Sequence, residues 1–148
     1  MLKDKSDLSG FTLIEILVVV AIFVIVLGFA LGVGSEFYRS QVLIAEKDNL
    51  VGLLRSARNQ AMNNINQSSH GVFIDSNQYI LFEGESYSAR HQDFDEAFPL
   101  SYGVSIGGAN EVVFRALDGQ SSASGTITIT NSRGTANIEL NYEGRISW

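Results

Sequence analysis

The sequence predicts an α+β fold, with one long N-terminal helix over about residues 12–64 packed on a C-terminal antiparallel, β-rich head. Three observations carry this. From Ile16 to Val33 run eighteen residues without a charge, which is about enough helix to cross the hydrocarbon core of a bilayer. Behind that run the apolar positions continue at helical spacing, and no proline falls between Phe11 and Asn64. After Ile65 the period changes from helical to alternating, the signature of strands with one buried face.

In chain order, Leu43, Leu50, Leu54, Ala57, Ala61 and Ile65 share one narrow helical face. Asp48, Gly52, Arg55, Asn59 and Asn63 occupy the other. A continuous helix of about 54 residues would be roughly 80 Å long. Val72 to Asp75 and Tyr79 to Phe82 flank Ser76-Asn77-Gln78 and read as a hairpin. Val112 to Phe114 is a short strand. Thr126 to Thr130 and Ala136 to Tyr142 form a second hairpin across Asn131-Ser132-Arg133-Gly134, with Ile138, Leu140 and Tyr142 on one face. Six or so strands are expected in all.

Composition narrows the function classes. The part after Ser35 is polar and rich in Gly and Ser, with room for one modest core. The net charge is −6, and residues 71–148 alone hold four Lys/Arg against ten Asp/Glu. That acidic head disfavours long-range attraction to nucleic acid or anionic lipid. With no cysteine there is neither a disulfide framework nor thiolate chemistry. The serines form no Ser-His-Asp arrangement or Gly-x-Ser-x-Gly elbow, and there is no Walker-type loop. No enzyme activity and no cofactor are expected. His70 and His91 lack cysteine companions, which argues against structural zinc. Asp93, Asp95 and Glu96 read as a solvated acidic loop, without the glycine and later glutamate of an EF-hand.

The first fifteen residues decide the class. A polar opening of ten residues, with two Lys and two Asp, ends at Gly10, and Glu15 then places a carboxylate just inside the apolar run. A charge at that depth is costly in lipid and calls for a partner. Gly10, Phe11, Thr12, Leu13, Ile14 and Glu15 resemble the class III signal of type IV prepilins and type II secretion pseudopilins. The resemblance implies cleavage by prepilin peptidase between Gly10 and Phe11, N-methylation of Phe11 and a role for Glu15 in assembly. There Glu15 would meet the α-amino group of Phe11 on its own or a neighbouring subunit. The alternative is a Glu15 that snorkels at the membrane surface.

The order of elements is similar to that of the GspH/FimT family of minor pseudopilins and minor pilins. The matching features are the long helix, a Gly-Val-Phe-Ile hairpin, the Phe114 to Gly119 loop, two alternating strands and Gly144-Arg145-Ile146. In some members an arginine-rich C-terminal region binds DNA, which makes Arg145 a candidate contact. Its other reading is an arginine on a glycine turn paired with Glu143 or Glu139. Gly28 and Gly32 form a Gly-x-x-x-Gly pair, with Ala30 and Gly34 as a second small pair, and three readings stay open: close helix packing, local melting, or no special role. Many major pilins hold a proline where this chain has Gly32. Major pseudopilins bind calcium in a head loop, the one reason to weigh the acidic segment as a metal site.

The expected organisation is a leader over 1–10, a transmembrane and filament-core helix over 11–34, an amphipathic helix over 35–66 and the β-rich head over 67–148. The expected function is a minor pilin or pseudopilin of a type IV pilus or type II secretion pseudopilus. It would sit in the bacterial inner membrane with its head outside before joining the filament. Its partners would be prepilin peptidase, other pilins, the inner-membrane assembly platform and the membrane through residues 11–33. Two alternatives are a DNA-binding minor pilin for natural transformation and an unrelated anchored or secreted domain. The latter includes signal peptidase I cleavage near Ala30 or Gly32.

Overall fold

The computed structural model describes residues 10–148, and the side chains among them outside 30–39. The leader up to residue 9, and the surroundings of Ala30, Gly32 and Gly34, lie outside the described residues. One helix, α1 (Leu13–Met62), is followed by eight strands: β1 (His70–Ile74), β2 (Gln78–Glu83), β3 (Glu96–Pro99), β4 (Ser105–Gly107), β5 (Glu111–Phe114), β6 (Gly125–Asn131), β7 (Gly134–Leu140) and β8 (Ile146–Ser147). The α+β class is thus the one the sequence predicts. The chain divides into two compact units, the first ending at Phe37 and the second covering Tyr38–Trp148.

In the first unit, α1 starts on a local cap. The Glu15 N–H donates to the carbonyl oxygen of Thr12 at 3.1 Å and makes a longer contact of 3.4 Å to its side-chain Oγ1. Thr12-x-x-Glu15 has the spacing of a capping box, and a carboxylate in the first turn also complements the positive end of the helix dipole. From Leu13 to Phe29 the large apolar side chains are all exposed.

In the second unit, two four-stranded antiparallel sheets, ordered β3-β2-β1-β5 and β4-β6-β7-β8, enclose a core with the later turns of α1. Leu50, Leu54, Ala57 and Ala61 are fully buried, joined by Val51 and Leu53. The period of two is strict. Val72, Ile74, Tyr79, Leu81, Val112 and Phe114 face α1, while Ile80, Phe82 and Val113 form a smaller cluster with Phe73 and Tyr87. Ile127, Ile129, Ile138 and Leu140 close the main core from the second sheet. The β1–β2 hairpin pairs Ile74 with Tyr79, and β6–β7 pairs Asn131 with Gly134, so both expected hairpins are present.

Three details differ from the expectation. Ile65 lies past the helix, which stops at Met62, and is 45% exposed. Asn64, Asn66 and Gln67 take left-handed φ of 52°, 53° and 56°, a conformation asparagine tolerates better than most residues. The Ala61 carbonyl, in the last turn of the helix, accepts from Asn64 N–H at 2.9 Å and from Leu117 N–H at 2.9 Å, which ties the helix end to the loop after β5. Tyr142 is 64% exposed because β7 ends at Leu140 and the chain turns. The sheets also hold the short strands β3, β4 and β8, which no alternation marks.

Candidate functional site

The N-terminal candidates lie at the start of α1. Gly10 precedes the helix, and among the described residues outside its chain neighbours no atom lies within 4 Å of where a Cβ would stand. Phe11 is 80% exposed. Glu15 is exposed too, one helical turn beyond Phe11. Gly28 likewise has open space at its Cβ position. Among the described residues, the exposed apolar side chains from Leu13 to Phe29 make a larger apolar surface than a soluble monomer ordinarily leaves to water. Among the described residues no helix is long and apolar enough to cross a membrane. The expected span over 11–33 extends into residues 30–33, whose side chains lie outside the described ones.

The head holds two polar centres that no sequence pattern marks. Glu46 is on the buried face of α1, only 5% exposed. The Tyr79 hydroxyl donates to its Oε2 at 3.0 Å and the Ser101 N–H to its Oε1 at 3.0 Å. These bonds tie α1 to β2 and to the loop after β3. Burial, with the Glu46 carboxylate beside it, pushes the Tyr79 phenol well above its ordinary range. The second centre is Glu83, at the end of β2. It accepts from Asn66 Nδ2 at 2.6 Å and lies 3.2 Å from His91 Nδ1, while His70 Nε2 donates to the Ile65 carbonyl at 3.1 Å. Burial alone would raise the Glu83 carboxyl, but the bonds from Asn66 and His91 and the nearby imidazoles hold it below the usual carboxylate range.

The acidic loop is divided. Asp95 is engaged by Arg90, whose Nε donates to its two oxygens at 2.7 and 3.0 Å, and Arg90 also stacks on Tyr87 at 3.7 Å. Asp93 and Glu96 are exposed and line a cleft of about 450 Å³ with Phe94, Asn66 and Glu83.

Arg145 sits on the turn between β7 and β8. Asn141 builds that turn: its Oδ1 accepts from Arg145 N–H at 2.8 Å and its carbonyl from Gly144 N–H at 2.9 Å. Gly144 has φ 75°, and a Cβ there would strike the Gly119 carbonyl and come within 2.9 Å of Arg58 Nε. A glycine at 144 therefore lets the turn close over Arg58. The pairing of Arg145 with Glu139 or Glu143 is absent among the described ion pairs and hydrogen bonds. Instead Arg145 lines a cleft of about 400 Å³ with Arg55, Arg58 and Asn59.

Residues 7–31 match the family model described as the prokaryotic N-terminal methylation motif. No curated protein and no solved structure matches the chain. The matched segment contains Gly10, Phe11 and Glu15 and covers the exposed apolar start of α1. The N-terminus of this chain is a type IV pilin-like prepilin signal.

Proposed function

We propose that the chain is a minor pilin or pseudopilin, a structural and assembly subunit and not an enzyme, of a type IV pilus or type II secretion pseudopilus. The observation that carries this reading is the methylation motif at residues 7–31 set on a helix whose apolar side chains from Leu13 to Phe29 are all exposed. Such a surface needs a cover. Lipid supplies it while the subunit waits in the inner membrane, and the helices of other pilins supply it in the filament. Prepilin peptidase cuts after Gly10, and the new N-terminal Phe11 is methylated. The inner-membrane assembly platform then receives the subunit with its head outside the membrane. The element order of the head supports placing it near GspH/FimT proteins.

The role of Gly10 gives a direct test. The open space at its Cβ position means that Gly10→Val should leave the fold intact while presenting the peptidase with a branched side chain at the cleavage point. Immunoblots of cells expressing this variant with prepilin peptidase should show the uncleaved chain in the membrane fraction and none in sheared filaments. Cleavage and incorporation equal to wild type would remove the prepilin reading of Gly10.

A further inference from the structure

Within the head unit, three arginines line one cleft. Arg55 and Arg58 lie three residues apart on α1, and Arg145 comes from the β7–β8 turn. No carboxylate lies within 4.0 Å of any of them among the described residues. The Nε of Arg58 is buried and donates to nothing. A buried donor left unpaired is costly, more so on a charged group. Three like charges gathered without a counter-charge on an acidic protein mark a place where an anion belongs. Guanidinium groups match the two-oxygen edge of a carboxylate. Beside them Trp148 is 52% exposed, with Arg55 4.1 Å from its ring centroid.

The same unit displays the complementary group elsewhere. Asp93, just before β3, and Glu96, its first residue, are exposed and free of ion pairs among the described residues, and Phe94 between them is 56% exposed. Asp95, already neutralised by Arg90, is not available. This segment therefore offers two carboxylates and an aromatic ring, and the cleft offers three arginines, one of them stacked on Trp148. The two clefts share no lining residue, so one copy can use both at once.

We propose that the Arg55, Arg58 and Arg145 cleft is a docking site for the acidic loop at residues 93–96 of a second copy of this chain. A contact between two different patches of one molecule is heterologous and propagates head to tail. The placing of three arginines on one cleft favours this occupant over nucleic acid, which needs cations spread along successive phosphates, and the four-to-ten charge balance of residues 71–148 repels a polyanion at long range. The proposal concerns Tyr38–Trp148, whereas the prepilin reading rests on residues 7–31, so either can fail alone.

The chain has no cysteine, so introduced cysteines report proximity cleanly. Full-length chain carrying Asn59→Cys at the cleft is mixed in detergent with chain carrying Gln92→Cys beside the loop, and mild oxidant is added at about 50 mM salt, where screening is modest. The mixed disulfide should form about tenfold faster than with Tyr102→Cys in place of Gln92→Cys, and should slow about tenfold when Arg145→Glu is added to the Asn59→Cys chain. Asp93→Arg in the partner should restore it. A rate no higher than the Tyr102→Cys control, or one unaffected by Arg145→Glu, overturns the proposal. So does tight retention of a single-stranded oligonucleotide by the full chain that Arg145→Glu abolishes, because the cleft then serves nucleic acid.

Discussion

Glu15→Val is expected to leave the chain cleaved and inserted in the membrane but to reduce its recovery in filaments on the order of a hundredfold. In an assembled bundle of apolar helices the α-amino group of Phe11 has no water to face, and Glu15 is its proposed counter-charge. Removing one member of a buried ion pair strands the other at a cost of ~3–5 kcal/mol. The bonds that start α1 come from the Glu15 backbone N–H to Thr12, so they do not depend on the carboxylate. Glu15→Gln isolates the charge, because glutamine keeps the size and hydrogen-bonding groups of the side chain and drops only the charge. Both variants should fail in the same way when sheared filaments are quantified against the membrane fraction. Normal incorporation of Glu15→Gln would contradict the pairing.

Glu46→Ala is expected to cost the head about 3 kcal/mol, because the buried Tyr79 hydroxyl and the half-buried Ser101 N–H lose their acceptor together. For a unit of this size that lowers the melting temperature by roughly 10 °C, read by near-UV circular dichroism of the full chain. Tyr79→Phe should cost less, since Glu46 keeps the bond from Ser101. Alkaline pH offers an independent check. Tyr79 keeps its proton in the fold above the ordinary value of 10.0, so above that pH the unfolded chain binds fewer protons than the native one. The Tyr79 contribution is therefore complete below about pH 10 and is lost as pH rises beyond it. In Tyr79→Phe that part of the alkaline loss should disappear. A melting temperature for Glu46→Ala within about 2 °C of wild type would show that neither donor depends on Glu46.

How far the sequence reaches depends on which physical signal each feature leaves in it. Leu50, Leu54, Ala57 and Ala61 are legible because an apolar stripe at helical spacing arises mainly from burial of one helix face, and all four are fully buried. Ile65 fits the same spacing but falls beyond the asparagine turn that ends α1, where periodicity no longer applies. Ile127, Ile129, Ile138 and Leu140 alternate and are buried. Tyr142 continues that alternation on paper, yet sits in the turn that Asn141 organises. The strands β3, β4 and β8 are too short to show a period, and β3 ends on Pro99, which is tolerated at an edge strand.

The candidate sites divide in a similar way. The prepilin signal is a contiguous string, so Gly10, Phe11 and Glu15 can be read directly. Glu46 cannot, because a carboxylate on an apolar face looks like a break in the pattern until Tyr79 and Ser101 are brought to it. Nor can the arginine cleft. Arg55 reads as part of the polar helix face, no pattern singles out Arg58, and Arg145 reads as a DNA contact or as a turn arginine paired with Glu139 or Glu143. Only the Asn141 to Arg145 turn, closed over Arg58 by Gly144, puts the three together.

The most direct measurement of the central claim is mass spectrometry of the mature N-terminus, on chain isolated from cells that carry prepilin peptidase. The expected species lacks the first ten residues, begins at Phe11 and bears one methyl group on its α-nitrogen. A chain that retains Met1 in the presence of active peptidase, or one that begins near Val33 after release by signal peptidase I, would contradict it.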